Sequence, residues 1–170
     1  MTSDLAIPTA DLQRLRELLP NAPTPHIGMI VPNLARAMDY YGKVFGWKFA
    51  APKRVRHELI GPHPAEEEIY ITFTLGAPAI ELIEARPGTL WSLDRGILQH
   101  FGFWVHNLEN SGAILERAGL KLLARGRRVG AKYFTYHLYE GPDGLMVELG
   151  DRRYEQGLNA WLDEAREVAG

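Results

Sequence analysis

Two histidines and two glutamates occupy matched settings along this chain of 170 residues. His26 opens the stretch HIGMIV and His100 opens HFGFWV, while Glu81 lies in AIELIEA and Glu148 in LMVELG. Side chains on a strand alternate faces, so His26 shares one face with Gly28 while Ile27, Met29 and Val31 share the other. The second stretch repeats this, with His100 and Gly102 on one face and Phe101, Phe103 and Val105 on the other. The aliphatic neighbours of each glutamate, Ile80 and Leu82 or Val147 and Leu149, likewise point away from the carboxylate. Helices covering the apolar faces leave all four polar groups facing a cleft, and the glycine beside each histidine leaves space for a ligand. Two imidazoles and two carboxylates converging from related halves suit one divalent ion, Zn, Fe, Mn, Co or Ni. Singly, an inward histidine is more often a hydrogen-bonded core residue, and a glutamate between aliphatics a strand-edge charge. The same residue types at matched positions of two repeats favour the metal site.

The elements that must position these residues form an internal repeat. Residues 26–34 (HIGMIVPNL) and 100–108 (HFGFWVHNL) agree at five of nine positions with a constant offset of 74. Each copy starts as a strand and turns at Asn33 or Asn107, as N-cap, into a helical pattern. Leu34, Ala37, Met38, Tyr41, Val44 and Phe45 make the first apolar stripe, with Gly46 as C-cap, and the second helix, about 109–118, ends at Gly119. Further strands are expected at 47–51, 69–75 and 79–84 in the first copy, and at 121–125, 133–139 and 145–149 in the second. GAP at 76–78 and GPDG at 141–144 supply tight turns. Each half is therefore βαβββ. The fold class is α+β, two tandem βαβββ modules forming a curved mixed sheet around a cleft, with extra N- and C-terminal helices. Residues 1–25 read as a helical N-terminal extension (9–19) and linker, 26–150 as the main domain with modules at about 26–85 and 100–150, and 151–170 as a C-terminal amphipathic helix.

Composition narrows the function classes. Lys plus Arg number 19 and Asp plus Glu 21, a net charge of −2 that gives no global attraction to nucleic acid. The chain has no cysteine, which excludes thiolate ligands, a cysteine nucleophile and disulfides. No apolar run approaches the roughly 18 residues of a membrane span, and the N-terminus lacks a secretory pattern, so the expected location is cytoplasmic.

The stretches HIGMIVPNLARAMDYYGKVFGW, AIELIEA, HFGFWVHNLENSGAILERAGL and GPDGLMVEL together resemble the vicinal oxygen chelate superfamily, which includes glyoxalase, methylmalonyl-CoA epimerase, extradiol dioxygenases and antibiotic-resistance proteins. The resemblance spans about residues 26–150 and implies paired βαβββ modules with a metal in the cleft, its ligand positions falling on His26, Glu81, His100 and Glu148. The epimerase and glyoxalase branches match better, because both draw one ligand from each of four corresponding strands. Extradiol dioxygenases typically use two histidines and one glutamate, so Glu81 would crowd their chemistry. They also carry a tyrosine where Leu138 stands here. Resistance-type binding proteins usually lack the ligand set.

The expected activity is that of a metal-dependent isomerase, epimerase or lyase acting on a small carbonyl compound or thioester. Substrate oxygens that are vicinal or 1,3-related chelate the ion, an enolate is stabilised, and a carboxylate moves the α-proton. The resemblance places one such base among Glu66, Glu67 and Glu68, with Glu67 as the candidate, and Glu148 or Glu81 as the other. Tyr133, Tyr136, His137 and Arg128 are candidate substrate contacts, within a basic stretch that also holds Lys121, Arg125, Arg127 and Lys132. Trp104 and His106 are further candidate cleft linings. His57 and His63 fall in a Pro/Gly-rich loop that can act as a lid. The alternatives are a non-haem Fe or Mn dioxygenase and a metal-free binding protein. A homodimer is expected, with the terminal helices offering apolar stripes.

Overall fold

The structure is a computed structural model that describes residue 13 and residues 26–61 and 64–169. Apart from residue 13, the stretch 9–19 expected to be helical lies outside the described residues, as does His63. Eleven elements follow in order: β1 (His26–Val31), α1 (Leu34–Phe45), β2 (Lys53–Ile60), β3 (Ala65–Phe73), β4 (Ala79–Glu84), β5 (Leu98–Val105), α2 (Leu108–Arg117), β6 (Lys121–Arg128), β7 (Tyr136–Glu140), β8 (Met146–Asp151) and α3 (Glu155–Ala169). Two βαβββ modules are present, and the C-terminal helix follows them.

The helix ends form as their sequence signals dictate. The Asn33 side chain accepts from the Arg36 backbone N–H at 2.9 Å and the Asn107 side chain from that of Asn110 at 2.9 Å, each satisfying a donor that the first helical turn leaves free. Gly46 closes α1 in the left-handed region at φ 68°. Both helices lie outside the sheet. Leu34, Ala37, Met38 and Tyr41 of α1 join Met29, Val31, Ile80 and Leu82, and Leu108 and Leu115 of α2 join Val105, Tyr139 and Leu149.

The curved sheet closes into a barrel of order β1-β4-β3-β2-β6-β7-β8-β5. β1 and β4 run parallel with Gly28 opposite Glu81, and β5 and β8 run parallel with Gly102 opposite Glu148, so the two modules repeat one register. They join along two antiparallel seams, β1 to β5 and β2 to β6.

Two expectations change. Residues 47–51 do not form a strand beyond a single bridge from Phe49 to Thr74, since Pro52 interrupts the run and Trp47 turns instead onto Tyr41 and Phe45 of α1. The stretch taken for a lid loop is β2. Its inward residues Lys53, Val55, His57 and Leu59 alternate with outward Arg54, Arg56, Glu58 and Ile60. The outward charges pair across strands, Arg54 with Glu68, Arg56 with Glu66 and Glu58 with Arg127. Exposed pairs of this kind add only about 0–1 kcal/mol each, but opposite charges at these positions favour one register.

Much of the barrel interior is apolar. Ile30, Ile69, Ile71, Phe73, Ile83 and Leu138 pack with Trp91, and α3 adds Trp161 and Leu162, with Leu158 and Ala165 against them. The apolar stripe of α3 is thus committed to its own barrel. Among the described residues no helix is long and apolar enough to cross a membrane.

Candidate metal centre and its cavity

The four residues singled out by the repeat meet on the half of the barrel formed by β1, β4, β8 and β5. His26 lies opposite Gly102, and His100 opposite Gly28. A Cβ built on Gly102 would come within 1.9 Å of the His26 ring, and one on Gly28 within 2.1 Å of the His100 ring. The space beside each histidine, expected to admit a ligand, is therefore filled by the imidazole from the other module. This crossing brings the two Nε2 atoms to 3.0 Å. An oxygen of Glu81 lies 3.6 Å from His26 Nε2 and 3.4 Å from His100 Nε2. The Glu148 oxygens lie 3.8 Å and 3.9 Å from the same two nitrogens.

Ligand atoms about 2.0–2.2 Å from one ion sit roughly 3–3.5 Å from each other, close to these separations. The electrostatics agree with the spacing. Burial lowers His26 to about 4, against the pull of Glu81 and with a further push from His100, and burial lowers His100 against the pull of Glu148. Both imidazoles are therefore neutral and keep lone pairs. Burial holds Glu81 and Glu148 above the usual carboxylate range, with His26 opposing at Glu81 and His100 at Glu148. A divalent cation balances two such carboxylates. His26, His100 and Glu148 each bring one donor atom within 4.8 Å of the others, and Glu81 lies beside both histidines, so the residues present fit a divalent ion.

Sequence inspection missed Gln99. By simple alternation it would face away from His100, but the β1–β5 pairing slips at this point, from Gly28 opposite His100 to Met29 opposite Leu98, leaving Gln99 as the extra residue of a bulge. Its Oε1 lies 2.5 Å from His100 Nδ1, and its amide donates to the Leu90 carbonyl at 2.9 Å. That second bond orients the amide oxygen toward the ring, so Nδ1 carries the proton and Nε2 presents its lone pair to the cluster.

The cluster opens onto a cavity of about 210 Å³. Its walls include Phe73, Trp91, Trp104, Tyr136 and Trp161, along with His57 and Arg128. Of the expected substrate contacts, Tyr136 and Arg128 are therefore in the cavity and Tyr133 and His137 are not. β7 begins at Tyr136, so Tyr133 is in the preceding loop, more than half exposed, with Lys132 and Arg153 over its ring. On β7 Tyr136 and Leu138 point inward, and His137 and Tyr139 point out toward α2, where His137 Nε2 lies 3.8 Å from Glu109. His106 is on the outer side too, 3.2 Å from Arg152. In the basic stretch, Arg127 is bound to Glu58, and Arg125 lies 3.9 Å from Glu109.

The three adjacent glutamates separate by the same alternation. Glu66 and Glu68 are outside with their arginines, whereas Glu67 is buried. Burial raises its pKa against a hydrogen bond from Trp91 and the charge of Arg86. It sits directly across from His57 on β2 and is not itself part of the cavity lining.

His57 has an acid-stability consequence. Burial, reinforced by Arg128, lowers its pKa from 6.5 to about 4. The unfolded chain therefore takes up this proton first as pH falls, so stability present above pH 6.5 is lost on the way down to 4. Between pH 7 and pH 5 this one group costs about 2 kcal/mol. Urea titrations of wild type and His57→Leu should show a smaller loss in the variant by that amount. Parallel pH dependences would mean that His57 is solvated.

Comparisons with known proteins bear on this geometry. The family model described as glyoxalase/bleomycin resistance protein/dioxygenase superfamily matches residues 25–136. No curated protein sequence matches the chain significantly. Among solved structures, methylmalonyl-CoA epimerase from Mycobacterium tuberculosis aligns with TM-score 0.52 at 20% identity, over 79% of this chain and 89% of that one. A methylmalonyl-CoA epimerase in complex with methylmalonyl-CoA and NH4+ aligns with TM-score 0.54 at 16% identity, over 75% and 92%. A variant of the Streptomyces coelicolor epimerase in complex with 2-nitronate-propionyl-CoA aligns with TM-score 0.52 at 16% identity, over 73% and 90%. At these identities the likeness is one of fold.

Proposed function

From the premise that the chain belongs to the glyoxalase/bleomycin resistance protein/dioxygenase superfamily, a group of enzymes and binding proteins, we propose that it is a metal-dependent isomerase, epimerase or lyase. It transfers a proton next to the carbonyl of a small carbonyl compound or thioester. The observation that carries this reading is the convergence of His26, His100, Glu81 and Glu148, with nitrogen–nitrogen and nitrogen–oxygen separations of 3.0–3.9 Å.

His26, His100, Glu81 and Glu148 would hold a divalent ion, which would supply Lewis-acid stabilisation of the negative charge that develops when the α-proton leaves. The chain supplies the rest. Neutral His26 and His100 present lone pairs, with His100 oriented by Gln99. Glu148 or Glu81 is the candidate base at the cluster, and Glu67 is the other candidate, on β3. The apolar part of the lining, Ile69, Ile71, Phe73 and Trp91, strengthens charge interactions beside it.

Metal analysis of protein purified without oxygen tests the centre. About one ion per chain is expected in wild type, none in His26→Ala and a weakened complement in Glu81→Ala. Solvent deuterium should enter the α-position of a thioester, hydroxyketone or hemithioacetal substrate. No label across that panel would sink the reaction, and no metal after reconstitution with Mn, Co, Ni, Zn or Fe would leave a binding protein.

A second reading has one specific support. His26, His100 and Glu148 by themselves bring one donor atom each within 4.8 Å of one another, the two-histidine, one-carboxylate pattern of non-haem iron oxygenases. Oxygen uptake with catechols, unaffected by Glu81→Ala, would move that reading ahead. A cytoplasmic homodimer completes the proposal. Tyr40, Val44 and Phe45 are exposed on α1, an apolar surface available to a second copy, and sedimentation velocity reads the state directly.

A further inference from the structure

The wall of the barrel facing the cluster carries a row of polar residues, of which the proposed reaction uses only Glu67. His57 on β2 is directly opposite Arg128 on β6, and Tyr136 on β7 is directly opposite Gly126 on β6. The absence of a side chain at Gly126 lets the Tyr136 ring lie over that strand, within 5.4 Å of the His57 ring between centroids. Trp161 comes from α3 at the same cavity, with Lys53 Nζ 4.4 Å above its ring. Lys53 and Arg128 are exposed lining residues and have no carboxylate partner among the described residues. Tyr136 and Trp161 are 6% and 9% exposed, so each is over nine-tenths buried. The Tyr136 hydroxyl, the Trp161 indole nitrogen and both His57 ring nitrogens have no hydrogen-bond partner among the described residues.

These groups share one chemistry. The guanidinium, ammonium, phenol and indole all donate, and a neutral imidazole adds one N–H. The one carboxylate in the row, Glu67, takes a hydrogen bond from Trp91 and the charge of Arg86, while its Oε2 is buried without a partner among the described residues, directly across from His57. Buried donors without partners are costly, and a ligand that accepts from them is favoured. Between this wall and the cluster the cavity is lined by Ile69, Ile71, Phe73 and Trp91, and its volume is about 210 Å³.

We propose that this wall binds a carboxylate, making the substrate a compact, largely apolar carbonyl acid whose remaining oxygens face the four-residue cluster. The substrate class rests on the proposed proton-transfer function, but the carboxylate subsite does not need the metal. The exposed residues of the lining are Lys53, Arg128 and Gly157 of α3, and the volume of about 210 Å³ suits a small reacting body.

The test is titration of chelator-treated protein with phenylacetate and with its neutral amide, phenylacetamide, read by the fluorescence of the tryptophans that line the cavity. Phenylacetate should bind at least about tenfold more tightly than phenylacetamide, as expected for charge-assisted bonds. Arg128→Ala should erase that preference, Arg128→Lys should keep part of it, and Tyr136→Phe should weaken the acid severalfold while leaving the amide unchanged. Equal affinities, no saturable binding of phenylacetate, or a preference that survives Arg128→Ala would overturn the proposal. Metal content measured on the same preparations separates the two readings. Acid preference in a protein that never takes up metal removes the proton-transfer function and keeps the subsite, whereas normal metal uptake without acid preference does the reverse.

Discussion

Gly102→Ala should lower metal affinity by on the order of 100-fold although no donor atom is removed. The added methyl would lie 1.9 Å from His26 Cε1 and 2.3 Å from Nε2, far inside van der Waals contact, so the His26 ring must turn away. Backbone adjustment is the harder route, because Gly102 is paired on both sides, to His26 on β1 and to Glu148 on β8. Gly28→Ala should act in the same way through His100. Competition with a chromogenic chelator gives the affinities, and far-ultraviolet circular dichroism checks that the barrel is intact. Wild-type affinity in a folded Gly102→Ala variant would show that His26 is not a ligand.

Trp161→Ala should cost about 3–5 kcal/mol of stability, the range for truncating a buried tryptophan. The indole meets Phe73 edge to face at a centroid separation of 5.7 Å, carries the Lys53 ammonium on its face and lies in the same cluster as Ile69 and Ile71. It also forms one wall of the cavity, so the truncation joins a void to an existing space instead of letting the core collapse. Urea unfolding measures the loss. Unlike the glycine variant, this one should keep its metal, because among the described residues no hydrogen bond or ring contact joins the indole to any of the four donor residues; a loss below about 1 kcal/mol would mean that α3 is loosely docked.

These two effects have different origins in the chain. The first depends on residues that the repeat made visible, a glycine two positions after each histidine, yet its cause was not visible, since nothing local says that each glycine makes room for the histidine of the other module. The second depends on a tryptophan recognisable as part of an amphipathic stripe, whose partner could have been this barrel or another chain. Strand β2 was hidden because its inward positions include Lys53 and His57, which break the apolar alternation that identifies a strand. Tyr133 precedes β7, and His137 follows Tyr136 directly, so the alternation that turns Tyr136 into the cavity turns His137 out of it.

By itself the sequence determined the two-module plan, the asparagine caps and the identity of the four cluster residues, because these follow from short-range periodicity and from comparison of one segment with another. Only the tertiary structure decided how those residues meet, that the sheet closes, that a bulge re-aims Gln99, and that His57, Arg128, Tyr136 and Trp161 share one wall. Those relations join residues from β2, β6, β7 and α3 that are far apart in the chain. They are set by strand register and barrel closure, and register between distant strands depends on the packing of all the strands at once.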